Sequence, residues 1–435
     1  MALPPVEAGT AHGCQSEKGC EGLSLSKLDF RAMAQVAVSV GVNVQPGQRL
    51  MIMAPIDAAP LVRQVAEAAY AVGAKSVRSW FADDILDKVT LQRAPEAGLK
   101  DFPHWLAEGF AQEAAEGAAF LSVVGSDPDL LADVPPERTA MAMNAAQEAM
   151  AAFREHIMAS RVAWSIVSVP TAAWAKKVFP GLSEDRAIDQ LWQAICKASR
   201  IEGADPVGNW KMHVAHLQQR ADWLNSLEID RLHYRAKGTD LTIGLPPTHL
   251  WAAGGQANAA GTQYVANIPT EEVFTLPDRL RVDGTVRSTK PLSHAGQVIE
   301  GIRLEFKDGR ITSYAADRAL DNLKELIETD DGSHYLGEVS LVPVDSPISQ
   351  SGTLFYNTLF DENASCHLAI GRAYPFTLRD AQDVTSDEVF MGKGGNVSLT
   401  HVDFMVGAQD LDIDATTRGG KSIPIFRAGG WAQPL

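Results

Sequence analysis

The chain has 435 residues, of which 46% are hydrophobic and 21% are charged, and its formal net charge is −16. This composition is typical of a folded protein with more than one domain, and it excludes a disordered or collagen-like chain. Because the negative charge repels phosphate backbones and anionic lipids, we expect neither nucleic acid nor a membrane surface as a partner.

The first 22 residues are glycine-rich and contain Cys14 and Cys20, which we interpret as free surface thiols, with a disulfide or a metal site as the alternative. They lack the basic end and the apolar stretch of a signal peptide. No apolar run in the sequence reaches the roughly 18 residues that a membrane span needs. The sequence therefore predicts a flexible extension over residues 1–22 and a cytoplasmic location.

A helix pattern begins in SLSKLDFRAMAQVAVSVG, with Ser24 or Ser26 as its expected N-cap. The apolar run RLMIMAP predicts a buried strand, APLVRQVAEAAYAVG a helix that stops at Gly73, and AKSVRSWFADD a second strand. Further candidate strands are AAFLSVVGS and RVAWSIVSVP, between long Ala-rich helical stretches. This alternation predicts a doubly wound, mostly parallel α/β domain over residues 23–225.

After about residue 220 the pattern changes to short alternating segments, such as TDLTIGLP and GEVSLVPV. In LEFKDGRIT, Asp308 and Gly309 lie between two alternating runs, which is a strong hairpin signal. These segments predict an α+β domain with a mixed or antiparallel sheet over residues 226–435.

Several common active-site motifs are missing from the sequence. It contains no glycine-rich phosphate loop between a strand and a helix, no G-x-S-x-G and no H-E-x-x-H. Cys366 precedes His367 directly, so an extended chain would place its thiol on the other face from the imidazole. Nucleotide binding and nucleophilic catalysis are therefore disfavoured.

The pair His401 and Asp403 is the strongest chemical signal, because positions i and i+2 of a strand share one face. The surrounding NVSLTHVDFMVG is apolar, and a buried, unpaired carboxylate would be costly there. A divalent cation would remove this cost, and a structural His–Asp hydrogen bond is the alternative.

Three further positions offer metal-ligand side chains, each with a plainer alternative. His367 follows the polar segment FDENASC, although a lone histidine is often a satisfied core residue. Glu338 opens an apolar strand in YLGEVSLVPV, where it could simply be solvated. Glu271 and Glu272 are neighbours in NIPTEEVFTLP, so an extended chain would turn only one of them into a site.

Together these residues supply imidazole and carboxylate groups that suit zinc, cobalt, manganese or iron. Two ions with a bridging carboxylate would use all of them, and such a pair activates water for amide hydrolysis. From the residues alone, Tyr374 is interpreted as a packing residue.

Long blocks of the chain resemble a known family, the M29 metallo-aminopeptidases. The resemblance begins near residue 23 and is carried by VNVQPGQRLMIMAPIDAAPLVRQVAEAAYAVGA, LGEVSLVPVDSPISQSGTLFYNTLFDENASCHLAIGRAY and NVSLTHVDFMVG. It implies peptide substrates, a homodimer and two divalent metal ions per subunit. Zinc is the first choice, with cobalt, manganese or magnesium as alternatives.

The resemblance also implies a set of ligands. Carried over by motif, the metal ligands are Glu272, Glu338, His367, Tyr374, His401 and Asp403. Glu271 is the predicted general base, because it is adjacent to the first of these ligands.

The predicted function is an aminopeptidase that releases N-terminal amino acids through a metal-bridged hydroxide. One alternative is a ring-cleaving dioxygenase of related fold, with a single iron held by His367, His401 and Asp403. Another is an amidase that acts on a non-peptide amide.

Overall fold

The computed structural model describes residues 28–295 and 297–434. The predictions for the extension 1–22, for Cys14 and Cys20, and for a helix cap at Ser24 or Ser26 lie outside these residues.

The first part of the chain forms a four-stranded sheet whose strands are all parallel, in the order β2-β1-β3-β4. The strands are β1 (Arg49–Pro55), β2 (Ser76–Ala82), β3 (Ala119–Val124) and β4 (Trp164–Ser168). Each coincides with a strand that the sequence predicts, because their short apolar runs are flanked by turn and helix signals.

Helices cover both faces of this sheet. They are α1 (Arg31–Val36), α2 (Ala59–Ala71), α3 (Asp84–Arg93), α4 (Glu96–Leu99), α5 (His104–Ala115), α6 (Pro136–Ala149), α7 (Ala151–Met158), α8 (Ala172–Val178), α9 (Glu184–Ala198) and α10 (Pro206–Ser226). Leu50 and Ile52 of β1 pack into a core with α1, α2 and α9. Met51 and Met53 face the opposite way, toward α5 and α7. The prediction of a doubly wound α/β fold is confirmed.

The second part is built from antiparallel sheets. An eight-stranded sheet has the order β15-β14-β11-β6-β5-β19-β20-β21, and a five-stranded sheet has the order β18-β17-β16-β10-β7. Two small hairpins, β8-β9 and β12-β13, complete the strands of the described residues. The predicted antiparallel character of this part is confirmed.

These strands are two to eight residues long. They are β5 (Ile229–Ala236), β6 (Thr239–Gly244), β7 (Ala252–Ala253), β8 (Gly255–Ala257), β9 (Gln263–Val265), β10 (Val273–Thr275), β11 (Val282–Arg287), β12 (Leu292–His294), β13 (Gln297–Ile299), β14 (Arg303–Lys307), β15 (Arg310–Ala315), β16 (Leu336–Leu341), β17 (His367–Gly371), β18 (His401–Met405), β19 (Asp412–Thr417), β20 (Ser422–Arg427) and β21 (Gly430–Trp431). The helices are α11 (Leu320–Ile327), α12 (Pro347–Ser351), α13 (Thr358–Asp361) and α14 (Asp387–Gly392).

The hairpin predicted at Asp308 and Gly309 joins β14 to β15. Both residues adopt positive φ, 49° and 84°, which a two-residue hairpin turn of the primed type requires. This prediction is confirmed.

The segment 266–268 joins the parallel sheet to the five-stranded sheet. Ile166 of β4 donates its N–H to Ala266 and accepts from the N–H of Ile268, at 2.8 and 3.0 Å. The chain then continues into β10, so Glu272 lies at the point where the two sheets meet. The domain boundary near residue 225 stays a prediction, although β5 does begin just beyond it, at Ile229.

Candidate metal centre

The ligand candidates lie on adjacent strands of the five-stranded sheet. Glu338 is on β16, His367 is on β17, and His401 and Asp403 are on β18. Glu272 immediately precedes β10, which pairs with β16. Residues that are far apart in the sequence are therefore neighbours on one sheet.

The register leaves space between their long side chains. On β17, Ala369 lies between Glu338 of β16 and Asp403 of β18. Gly371, the next residue on the same face, lies opposite His401. Because the middle strand carries small residues here, the flanking carboxylates can approach each other over it.

The side chains converge on two overlapping groups. The Nε2 atom of His367 lies 3.0 Å from Oε2 of Glu272 and 3.4 Å from Oε1 of Glu338. The Nε2 atom of His401 lies 3.7 Å from Oε2 of Glu338 and 3.6 Å from Oδ1 of Asp403. Within each group the ligand atoms lie within 4.8 Å of one another, and Glu338 belongs to both groups.

Backbone carbonyls fix the orientation of both imidazole rings. The Nδ1 atom of His367 lies 2.9 Å from the carbonyl oxygen of Glu362, and that of His401 lies 2.7 Å from the carbonyl oxygen of Arg372. Since a carbonyl can only accept, Nδ1 carries a proton in both rings, and Nε2 is the atom that faces the carboxylates and is available to a metal ion. This arrangement is typical of histidines that bind metals.

The charges of the site also fit a cation. Burial raises the pKa of Glu338 to about 7. Burial alone would lower the pKa of His367, but the carboxylates of Glu272 and Glu338 raise it well above its usual value. The Oδ1 atom of Asp403 is buried and has no hydrogen-bond partner within the described residues. A divalent ion would satisfy this atom and offset the repulsion among the acids.

A cavity of about 90 Å³ opens beside these groups, and we call it the inner cavity. All six predicted ligands line it, including Tyr374, whose ring centroid lies 4.8 Å from that of His401. Burial and the charge of Glu338 raise the pKa of the Tyr374 phenol well above its usual value. The structure thus brings together the whole set of ligands inferred from the resemblance.

Glu271, the predicted general base, lies elsewhere. Both of its oxygens accept from the Arg200 guanidinium, at 2.9 and 2.7 Å, and its N–H donates to Oδ1 of Asn363 at 2.7 Å. It does not line the inner cavity. Its role in proton transfer stays a prediction.

Glu362 is a carboxylate that the sequence places in a polar segment without a role. It is only 7% exposed and lines the inner cavity. The one hydrogen bond that its carboxylate accepts within the described residues comes from Nδ2 of Asn363 and is long, at 3.3 Å. Burial, followed by the charges of Asp403 and Glu272, raises its pKa well above its usual value. Because other polar residues flank Glu362 in the sequence, no local pattern predicts that its side chain points into the site.

A sequence model of the family described as thermophilic metalloprotease (M29) matches residues 27–431. The chain belongs to this family. Aminopeptidase AmpS of Bacillus subtilis (strain 168) is 50% identical over 399 residues, which are 92% of this chain and 97% of that protein. Aminopeptidase 2 of Geobacillus stearothermophilus is 47% identical over 402 residues, again 92% and 97%.

The solved structure of wild-type AmpT from Thermus thermophilus has a similar fold, with a TM-score of 0.87 at 40% sequence identity. The similarity covers 93% of this chain and 99% of that one. The enzyme class predicted from the sequence is confirmed: the M29 family is one of metalloproteases, and these relatives are named aminopeptidases. A divalent metal therefore belongs to the chemistry of this enzyme.

Proposed function

We propose that this M29 enzyme is an aminopeptidase that binds two divalent metal ions on either side of Glu338. The position of Glu338 carries the proposal, because its two carboxylate oxygens face different histidines. Glu272 and His367 would complete one set of ligands, and His401 and Asp403 the other. Zinc is our first choice of ion, since imidazole and carboxylate groups suit it well.

Bound there, the ions would lower the pKa of a water molecule and polarise the scissile carbonyl. The protein itself orients the ligands. The bonds at Nδ1 keep the Nε2 atoms of both histidines aimed at the site, and Ser340 holds Glu272 through a 2.8 Å hydrogen bond to its Oε2 atom.

Peptide hydrolysis also needs a group that carries a proton from water to the leaving amine. Glu271 is the candidate that the sequence suggests, but its oxygens are both engaged by Arg200. Glu362 is the second candidate. Its carboxylate lines the inner cavity and has fewer partners, which supports this role.

Two alternatives are less well supported. A dioxygenase with a single iron on His367, His401 and Asp403 would leave Glu272 and Glu338 without a function, although both lie in the same cluster. An amidase for non-peptide amides would not explain why the similar proteins are named aminopeptidases. Oxygen uptake with hydroxypyridines and a panel of aminoacyl and simple amides would separate these functions.

Variants of the shared ligand test the proposal. We expect Glu338→Gln and His401→Ala to reduce hydrolysis of leucine p-nitroanilide to background while circular dichroism stays unchanged. Glu305→Gln is the matched control, because this exposed glutamate of β14 lies in the other sheet. If both site variants kept full activity, the assignment of the metal centre would be wrong.

The homodimer and the cytoplasmic location are also proposals. No helix within the described residues is both long and apolar enough to cross a membrane.

The outer strand of the parallel sheet, β2, is largely exposed and carries Trp80, which contacts the exposed Trp105 edge-on at 5.8 Å. An exposed apolar strand edge supports association with a second copy, which sedimentation would measure.

A further inference from the structure

A second, larger hollow adjoins the inner cavity, and we call it the outer groove. One wall is formed by α6 and α7, with Ala151 and Met158 facing the groove. The opposite wall belongs to residues 372–399 and includes Phe376 and Leu399. Phe376 also lines the inner cavity, so its ring is common to both spaces.

Phe376 is held at this boundary by other aromatic rings. It stacks on Tyr374 with the ring centroids 5.4 Å apart, and it meets Phe274 edge-on at 6.0 Å. Tyr374 belongs to the proposed ligands, so the outer groove begins directly beyond the Phe376 ring that stacks on it. A chain that leaves the inner cavity past Phe376 would enter this groove.

The volumes of the two spaces point to different occupants. The inner cavity measures about 90 Å³, which is less than the roughly 150 Å³ of an engineered cavity that binds one benzene molecule. The inner cavity is therefore too small to hold several residues of a peptide. The outer groove measures about 840 Å³, which lies within the range of roughly 300–1,000 Å³ typical of ligand sites.

Three acidic and three basic side chains line the outer groove, so their formal charges cancel, and four of them form two ion pairs. Arg161 contacts Glu155 at 2.7 Å, and Arg372 contacts Asp387 at 3.2 Å. Apolar side chains such as Leu399, which is 61% exposed, remain free to make contacts. A groove of this kind suits a peptide of varied sequence better than a ligand with one fixed charge.

We propose that the outer groove binds the residues that follow the scissile bond, so that oligopeptides are the preferred substrates over single-residue amides. The inference rests on the proposed aminopeptidase function and extends it to the leaving part of the substrate. In this arrangement the first residue lies in the inner cavity, the scissile bond lies beside the ligands, and the remaining residues lie between α7 and Leu399.

Two neighbouring alanines of α7 allow a matched test. Ala151 and Ala152 are both exposed, but only Ala151 lines the outer groove. The value of kcat/KM is measured for a leucine-headed pentapeptide and for leucine p-nitroanilide, and the ratio of the two is compared. We expect Ala151→Trp to lower this ratio about tenfold, because the indole occupies space that the peptide needs. Ala152→Trp should keep the wild-type ratio.

A second variant keeps the test valid if Ala151→Trp does not fold. Leu399→Trp narrows the groove from its other wall and should lower the same ratio. If the wild-type enzyme is active and neither groove variant changes the ratio, the inference is overturned. If the wild-type enzyme releases leucine from neither substrate, the proposed function has failed and the inference falls with it.

Discussion

Glu338 differs from the other acidic side chains of the site because each of its oxygens faces a separate histidine. A carboxylate that binds a single metal ion would need only one histidine beside it. The shared position explains why this side chain is almost fully buried despite the cost of burying a carboxylate. At the scale of single residues, the metal centre therefore depends on one carboxylate more than on any other.

The two candidates for proton transfer should respond differently to loss of their charge. We expect Glu362→Gln to lower kcat about a hundredfold or more, since its carboxylate lines the inner cavity. Glu271→Gln should chiefly lower the free energy of unfolding, because it leaves Arg200 without its bidentate partner. Steady-state kinetics and urea unfolding of both variants check this. The reverse pattern would assign proton transfer to Glu271.

His249 should make the fold sensitive to acid. Burial lowers its pKa to about 4, against 6.5 for an ordinary histidine, so the unfolded chain binds more protons between these values. Its contribution to stability is complete above pH 6.5 and is lost as the pH falls toward 4.

The matched variant is His249→Asn, whose amide can keep the hydrogen bond that Nδ1 donates to the Pro246 carbonyl oxygen at 2.8 Å. Between pH 7 and pH 4 we expect the wild-type protein to lose about 3 kcal/mol more free energy of unfolding than the variant. Denaturant unfolding at both pH values measures this difference. Equal losses would show that His249 is not the titrating group.

At the scale of elements, β17 lies between the strands that carry Glu338 and Asp403 and leaves space between these two side chains. Ala369 lies between Glu338 and Asp403, and Gly371 follows on the same face. Next to Glu338, Gly337 lies at a bulge in β16, where an added Cβ would come within 2.4 Å of the carbonyl oxygens of Gly371 and Arg372. These small residues let the acidic side chains meet above the sheet.

A larger side chain on β17 should therefore displace the ions. We expect Ala369→Leu to weaken metal binding about tenfold or more, because the isobutyl group would occupy the space over the middle strand. Ala369→Ser, which is close in size, should bind metal as the wild type does. Isothermal titration with Zn²⁺ after chelation compares the three proteins. Unchanged affinity in the leucine variant would contradict this picture of the site.

The sequence predicted those features of the strands that depend on a local pattern. Strand periodicity placed His401 and Asp403 on one face, and both do belong to one cluster. No local pattern could predict the pairing of β16 with β10 and β17, since register depends on contacts distant in sequence. That pairing is what turns Glu272 toward the site, while Glu271 pairs with Arg200.

At the scale of the whole molecule, the site lies where the parallel sheet meets the five-stranded antiparallel sheet. The segment through Ile268 extends the parallel sheet and then enters the antiparallel one, which brings Trp164 of β4 to the wall of the inner cavity. Composition and periodicity predicted both architectures, but neither could predict this junction or the outer groove beside α7. Both arise from packing between parts of the chain that are far apart in sequence.

The central claim is that Glu338 lies between two metal ions. Anomalous diffraction from crystals of the enzyme prepared with Zn²⁺ tests this most directly. The account predicts two anomalous peaks, one beside Glu272 and His367 and one beside His401 and Asp403, with a different oxygen of Glu338 contacting each. A single peak, or two peaks of which only one touches Glu338, would contradict it.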